Sequence, residues 1–213
     1  MRANGARTPF PSSMTPAMDQ KNSTSLIYEV AETAFIHALE ILQLIEVMQF
    51  QNSGQINVRL SDAGAGRAGI AVRNAMISRI VLLVAGCYAP VRDKGDKHLR
   101  VAFELLEYPE ICAAIESKGS KSDLSEARRM WSELIKDARL ESVIHFRHKF
   151  TAHFADPEKD IPIPKYDEFF AFAAVTAKAM EKLAHGTGGT ADTLNEMRDE
   201  IVGSARAYWR PWT

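Results

Sequence analysis

Apolar residues recur three and four positions apart over long stretches of the chain, the spacing of helices packed on one side. Between positions 25 and 50 they are Ile27, Val30, Ala31, Ala34, Leu42, Ile45 and Phe50, which predicts a long amphipathic helix. A second helix is predicted over 70–88, where no acidic residue occurs, so it reads as a central and largely buried element. A third covers 97–107, and Pro109 can open a shorter one over 110–117 because proline is tolerated in the first helical turn. The fourth is the longest uninterrupted pattern, 124–154, with Ser122 or Ser125 as cap, Asp123 and Glu126 at its positive end, and Pro157 stopping it. A fifth spans 166–184 and ends at Gly186, and the last runs from 191 to 208.

Proline placement agrees, since the nine prolines leave free windows at 17–89, 110–156 and 165–210. A proline inside a helix costs about 3 kcal/mol, so these windows are where helices are permitted. Long amphipathic helices with short connections pack antiparallel. The expected fold is therefore all-α, an up-and-down bundle of about five to six helices in a single domain over 25–208. The Ser-, Pro-, Asn- and Thr-rich residues 1–24 read as a disordered lead without the apolar core of a secretory signal, and 209–213 as a tail.

Composition narrows the function. With 26 basic and 27 acidic residues the chain has a formal charge of −1, which excludes a protein held on nucleic acid or anionic membrane by its overall field. Any polyanion site must be local. The 46% hydrophobic and 25% charged content excludes a wholly disordered chain. Two cysteines, Cys87 and Cys112, are too few for a disulfide framework and read as buried thiols in a reducing, cytoplasmic setting. The most apolar run, 80–89, is about half the roughly 20 residues of a membrane span, so no membrane partner is expected.

Gly64-Ala65-Gly66-Arg67-Ala68-Gly69 matches a dinucleotide-binding fingerprint, follows a strand-like run (Ile56 to Leu60) and precedes a helix. Asn57 and Arg59 break that run, whereas a strand covered on both faces is almost continuously apolar, and no later strands follow. The segment reads as a flexible glycine loop.

The richest chemistry lies in His145-Phe146-Arg147-His148-Lys149-Phe150-Thr151-Ala152-His153-Phe154, with three of the six histidines and no acid from 142 to 155. Arg147 shares a helical stripe with Val143, Phe150 and Phe154, so its charge emerges from an apolar surface. His145, Lys149 and His153 form a second stripe. A plain helix end with cations at the negative end of its dipole has the same composition. Arg147 and His153 are six positions apart, roughly 240° and about 9 Å on an ideal helix, so they converge only through the long arginine or where two copies meet about a two-fold axis. Such a cleft suits RNA cleavage. Arginine presents a fork of donors to phosphate, histidine exchanges protons near neutrality, and the 2′-hydroxyl is an internal nucleophile, so no metal or other cofactor is needed.

Arg147-His148-Lys149-Phe150-Thr151-Ala152-His153 resembles the HEPN signature, an arginine, a polar residue, and a histidine after four to six intervening positions. The Arg-polar-Lys-x-x-Ala-His form, with Arg92-Asp93-Lys94 after a central helix, is similar to the abortive-infection, AbiU-like branch. The resemblance covers about 25–185. It implies an up-and-down bundle, commonly dimeric, and a metal-independent ribonuclease of phage defence or toxin–antitoxin systems, with Arg147 and His153 as catalytic pair. His148, Lys149 and His145 would orient the site or contact RNA, and an antitoxin or other defence protein is a further expected partner. The chain departs from the pattern twice: 70–88 supplies no orienting acid, and Ala155 stands where members silenced by adenylylation carry tyrosine. The alternative is a catalytically inactive HEPN-like module that binds RNA or protein. A metal held by His145, His148 and His153 lacks a carboxylate and has diverging side chains. Thr151 as a nucleophile lacks an assembled acid partner. Trp131 fits the core, and Trp209 and Trp212 fit docking of the terminus or a dimer contact.

Overall fold

The structure, a computed structural model, describes residues 20–91, 96–152, 161 and 164–213. Helix α1 (Gln20–Gln51) is the spine. Ile27, Val30, Ala34, Ala38, Ile41, Ile45 and Met48 are all buried along one stripe, and α1 touches most other elements. Its first five residues lie inside the stretch expected to be disordered. Residues 1–19 lie outside the described part.

α2 (Gly54–Asp62) corrects the strand-like reading. Ile56 and Leu60 are buried while Val58 between them is 58% exposed, so the pattern has period four and not two. Gly64, at φ 71, makes the turn, and Gly66 and Gly69 already belong to α3 (Gly66–Cys87), so the glycine motif is a helix junction and not a flexible loop. Gln51 Nε2 donates to the Gly69 carbonyl (2.8 Å), pinning the end of α1 to the start of α3. Short helices α4 (Leu99–Leu105) and α5 (Pro109–Glu116) follow, the latter opened by Pro109 as expected.

The expected long fourth helix is broken. α6 (Lys121–Leu134) ends before a turn, and α7 (Ala138–Phe146) starts afresh because the Asp137 carboxylate accepts from the Arg139 N–H (2.9 Å). The α6 cap is Ser120, whose hydroxyl accepts from the Asp123 N–H, in place of Ser122 or Ser125. From Arg147 to Ala152 the ladder widens to a π-type turn. α8 (Tyr166–Thr187) runs past Gly186 and is capped by Gly188 at φ 75, and α9 (Arg198–Trp209) starts later than 191. Trp209 docks this end by donating to the Val47 carbonyl (2.7 Å), and a single 3₁₀ turn, Arg210–Trp212, follows. The described residues thus form nine helices with no strand. The class matches the expectation, and the larger number reflects the breaks at Gly54 and Asp137 and the short helices.

α8 lies on both α1 and α6. Phe35 sits beside His185 while Leu42 and Ile45 face Phe170, so α1 and α8 are antiparallel. Gly186 permits close approach to α6, since a Cβ there would stand 2.8 Å from the Leu124 backbone. The aromatic centre is Trp131, stacked between Tyr88 (5.1 Å) and Phe103 (4.8 Å), with the Tyr88 hydroxyl bonded to that of Thr176 (2.8 Å). Both thiols are buried, and burial pushes Cys87 up to about 12, which makes it an inert core group.

Candidate nucleic-acid site

The Arg147 motif is built where α7 gives way to the π-type turn. An i→i+5 turn accommodates an extra residue and re-aims the side chains that follow, a distortion frequent at functional sites. Val143 and His145 are buried, at 0% and 6% exposure, and anchor the segment. His145 is therefore not placed to meet a ligand directly. Lys149 is half-buried and His148 is exposed.

Arg147 is half-buried, and its Nε is sealed from solvent without a hydrogen-bond partner. Leaving a buried donor unsatisfied costs about 1–3 kcal/mol or more for a charged group. The Nε atoms of Arg73, Arg100 and Arg128 are in the same condition, so the feature is compatible with an incoming acceptor without being particular to Arg147. A phosphate oxygen is a strong acceptor for such a fork. His153 lies outside the described residues.

The turn packs on α3. Asp137 and Arg139 act electrostatically on the Tyr88 hydroxyl, so α7 begins beside the end of α3 and runs back along it. Both α7 and the π-type turn that follows it pack on α3. Arg73, on α3, is also half-buried with a sealed Nε that has no hydrogen-bond partner, as are Arg100 and Arg128 elsewhere in the bundle. The sequence signal for it was present, because α3 carries three arginines and no acid.

A second polar cluster lies where α1 crosses α3. Arg79 Nε and Nη2 donate to the Glu40 carboxylate (2.6 and 2.8 Å), a bidentate pair that holds Glu40 below the usual carboxylate range. The pair ties α1 to α3. Beside the pair is a cleft of about 230 Å³ lined in part by His37, Lys97, His98 and Leu82. Burial lowers the proton affinity of both histidines, opposed at His37 by Glu40 and at His98 by Asp96. Neither was legible as a site residue, since 37, 40, 79 and 98 are brought together only by helix packing. Among the described residues no three His, Cys, Asp or Glu side chains are placed to hold a metal ion.

Comparison with protein families resolves the kinship. The AbiU2 model of the HEPN group matches residues 24–208, nearly the whole described bundle, with Arg147 and His153 inside the matched span. The chain belongs to the HEPN AbiU2 family. No curated protein and no solved structure matches it. Within this HEPN bundle the sealed arginine and the π-type turn coincide with the signature segment.

Proposed function

We propose that this HEPN chain is a metal-independent endoribonuclease of the abortive-infection type, acting in the cytoplasm as a homodimer. The observation that carries the reading is the match to the HEPN AbiU2 family over a span that contains the Arg147–His153 segment, with which the sealed Arg147 Nε agrees. Arg147 binds a non-bridging phosphate oxygen and offsets the charge that builds on it in the transition state. His153 takes the proton of the 2′-hydroxyl, or returns one to the leaving 5′-oxygen. The 2′-oxygen attacks phosphorus as the P–O5′ bond breaks, leaving a 2′,3′-cyclic phosphate and a free 5′-hydroxyl. DNA has no 2′-hydroxyl and is spared. His148 and Lys149 add contacts to the RNA backbone, and His145 steadies the turn.

The test is cleavage of total RNA by the purified chain in EDTA. His153→Ala lowers the rate by about 10²–10⁴-fold, the usual contribution of a positioned acid or base, and Arg147→Ala by about 10²–10³-fold. No cleavage by the wild type, with RNA binding unchanged in both variants, overturns the reading.

A further inference from the structure

Helices α8 and α9 both lie on α1 and hardly touch each other, so a groove stays open between them with α1 beneath it. Its volume is about 610 Å³, within the roughly 300–1,000 Å³ of small-molecule sites. The apolar lining is Leu42 and Ile45 of α1, Phe170 and Ala174 of α8, and Ile201 of α9.

Polar side chains stand at the two ends with opposite sign. α1 and α8 are antiparallel, so Gln49 and Asp167 share one end, and Leu42 and Lys178 the other. Asp167 and Lys178 are about 16 Å apart along α8. The chain enters α9 at the Lys178 end, because the Leu194 N–H donates to Glu181 (2.8 Å), one turn beyond Lys178. α9 then runs in the direction of α1, with Ser204 bonded to Gln43 and Trp209 to Val47. Asn195 and Arg198 therefore join Lys178 at a basic end, while Glu46, one turn before Gln49, joins Asp167 at an acidic one.

Lys178 is committed to the buried Glu181. The side chains of Arg198, Glu46 and Asp167 have no ion pair or hydrogen bond among the described residues, so their charges are available to a ligand. Glu46 is also half-buried, where a carboxylate gains most from a cationic partner. An apolar middle between an anion-binding and a cation-binding end matches an elongated zwitterion. A free peptide of three apolar residues has that form, with about 10 Å between its ammonium and carboxylate groups when extended. A polyanion suits the groove less well, since Glu46 and Asp167 would face it.

We infer that the groove between α8 and α9 binds a short apolar peptide with free termini, its carboxylate on the Arg198 guanidinium and its ammonium at Glu46 and Asp167. A guanidinium fork fits a carboxylate with two parallel hydrogen bonds, and Asn195 stands beside it. No residue of α3, α7 or the π-type turn lines the groove, so the site is separate from the Arg147 segment and independent of the ribonuclease reading.

The experiment is isothermal titration calorimetry of the full chain with tripeptides built from Leu and Phe, free and blocked at either end. The free peptides are expected to bind in the micromolar range, and Gly-Gly-Gly, with the same termini, at least a hundredfold more weakly. Amidation of the carboxyl or acetylation of the amine is expected to weaken binding at least tenfold. Arg198→Glu should abolish the effect of amidation and keep that of acetylation, and Glu46→Gln with Asp167→Asn should do the reverse. Ala171→Leu, at an exposed position on the groove wall, should lower affinity at least tenfold with unchanged helical circular dichroism. No binding up to millimolar peptide overturns the inference, and so does binding that Ala171→Leu leaves intact, which puts the peptide elsewhere. A doubly blocked peptide that binds as tightly as the free one also overturns it, by making the groove a seat for a segment of a protein chain. Peptide binding with these dependences in a chain that cleaves no RNA supports the site while removing the ribonuclease reading.

Discussion

Helices α3 and α8 are both 22 residues long and both rich in apolar residues, yet they serve opposite ends. α8 is surrounded. It buries thirteen residues, including Phe169, Phe170 and Phe172, against nine on α3. Several of its polar groups are bonded within the fold: Thr176 to Tyr88, Lys182 to Asp123, His185 to the Asp192 carbonyl, and Glu181 Oε1 to the Leu194 N–H, with Oε2 ion-paired to Lys178. α3 touches several elements lightly, keeps an apolar face in solvent, and holds Arg73 with a sealed Nε that has no hydrogen-bond partner. Satisfied burial marks the part that holds the molecule together. Exposed apolar surface marks the part whose loss the fold feels least.

The contrast breaks most readily at Phe172, fully buried and lying under the Arg139 guanidinium. Phe172→Ala is expected to cost about 3–5 kcal/mol, through lost transfer energy and the cavity left behind, read as a lower urea midpoint with the slope unchanged. Gly186→Ala comes next at about 1–3 kcal/mol, because its Cβ meets backbone of α6 that has no rotamer to escape into. Asp123→Asn, which breaks the 2.6 Å bond to Lys182 across α6 and α8, is expected to cost up to about 1 kcal/mol at pH 7. Lys182 holds the Asp123 carboxyl below its ordinary range in the folded chain. Its contribution is therefore complete above the unfolded value, about 4, and is lost as pH falls through the lower folded value. The difference between wild type and the asparagine variant should vanish in acid, and a gap that persists at pH 2 would remove the ion pair as its cause.

Much of this division could be read along the chain, and its limits have physical causes. The covered stripe of α1, the opening of α5 at Pro109 and the burial of Trp131 follow from spacing and proline rules that act locally. The break before α7 did not, because Asp137 looks like any exposed helical acid until its carboxylate is seen to cap a new N-terminus. α2 was misread because Ile56, Val58 and Leu60 satisfy period two as well as they satisfy helical burial at Ile56 and Leu60 alone. In α3, the absence of acids does not separate burial from exposure, because exposed apolar residues give the same pattern. The Arg147 segment was legible from its residue types. Its π-type turn and the Arg79–Glu40 pair depend on packing between distant parts of the chain.

The smallest expected effect tests the contrast most directly. Leu82→Ala removes a side chain of a size similar to those that stabilise α8, but 41% of Leu82 is already in water and no cavity follows its loss. At sub-micromolar concentration the variant should unfold within about 0.5 kcal/mol of the wild type, as surface substitutions do. A large loss for Leu82→Ala in dilute solution would make α3 a second core helix like α8.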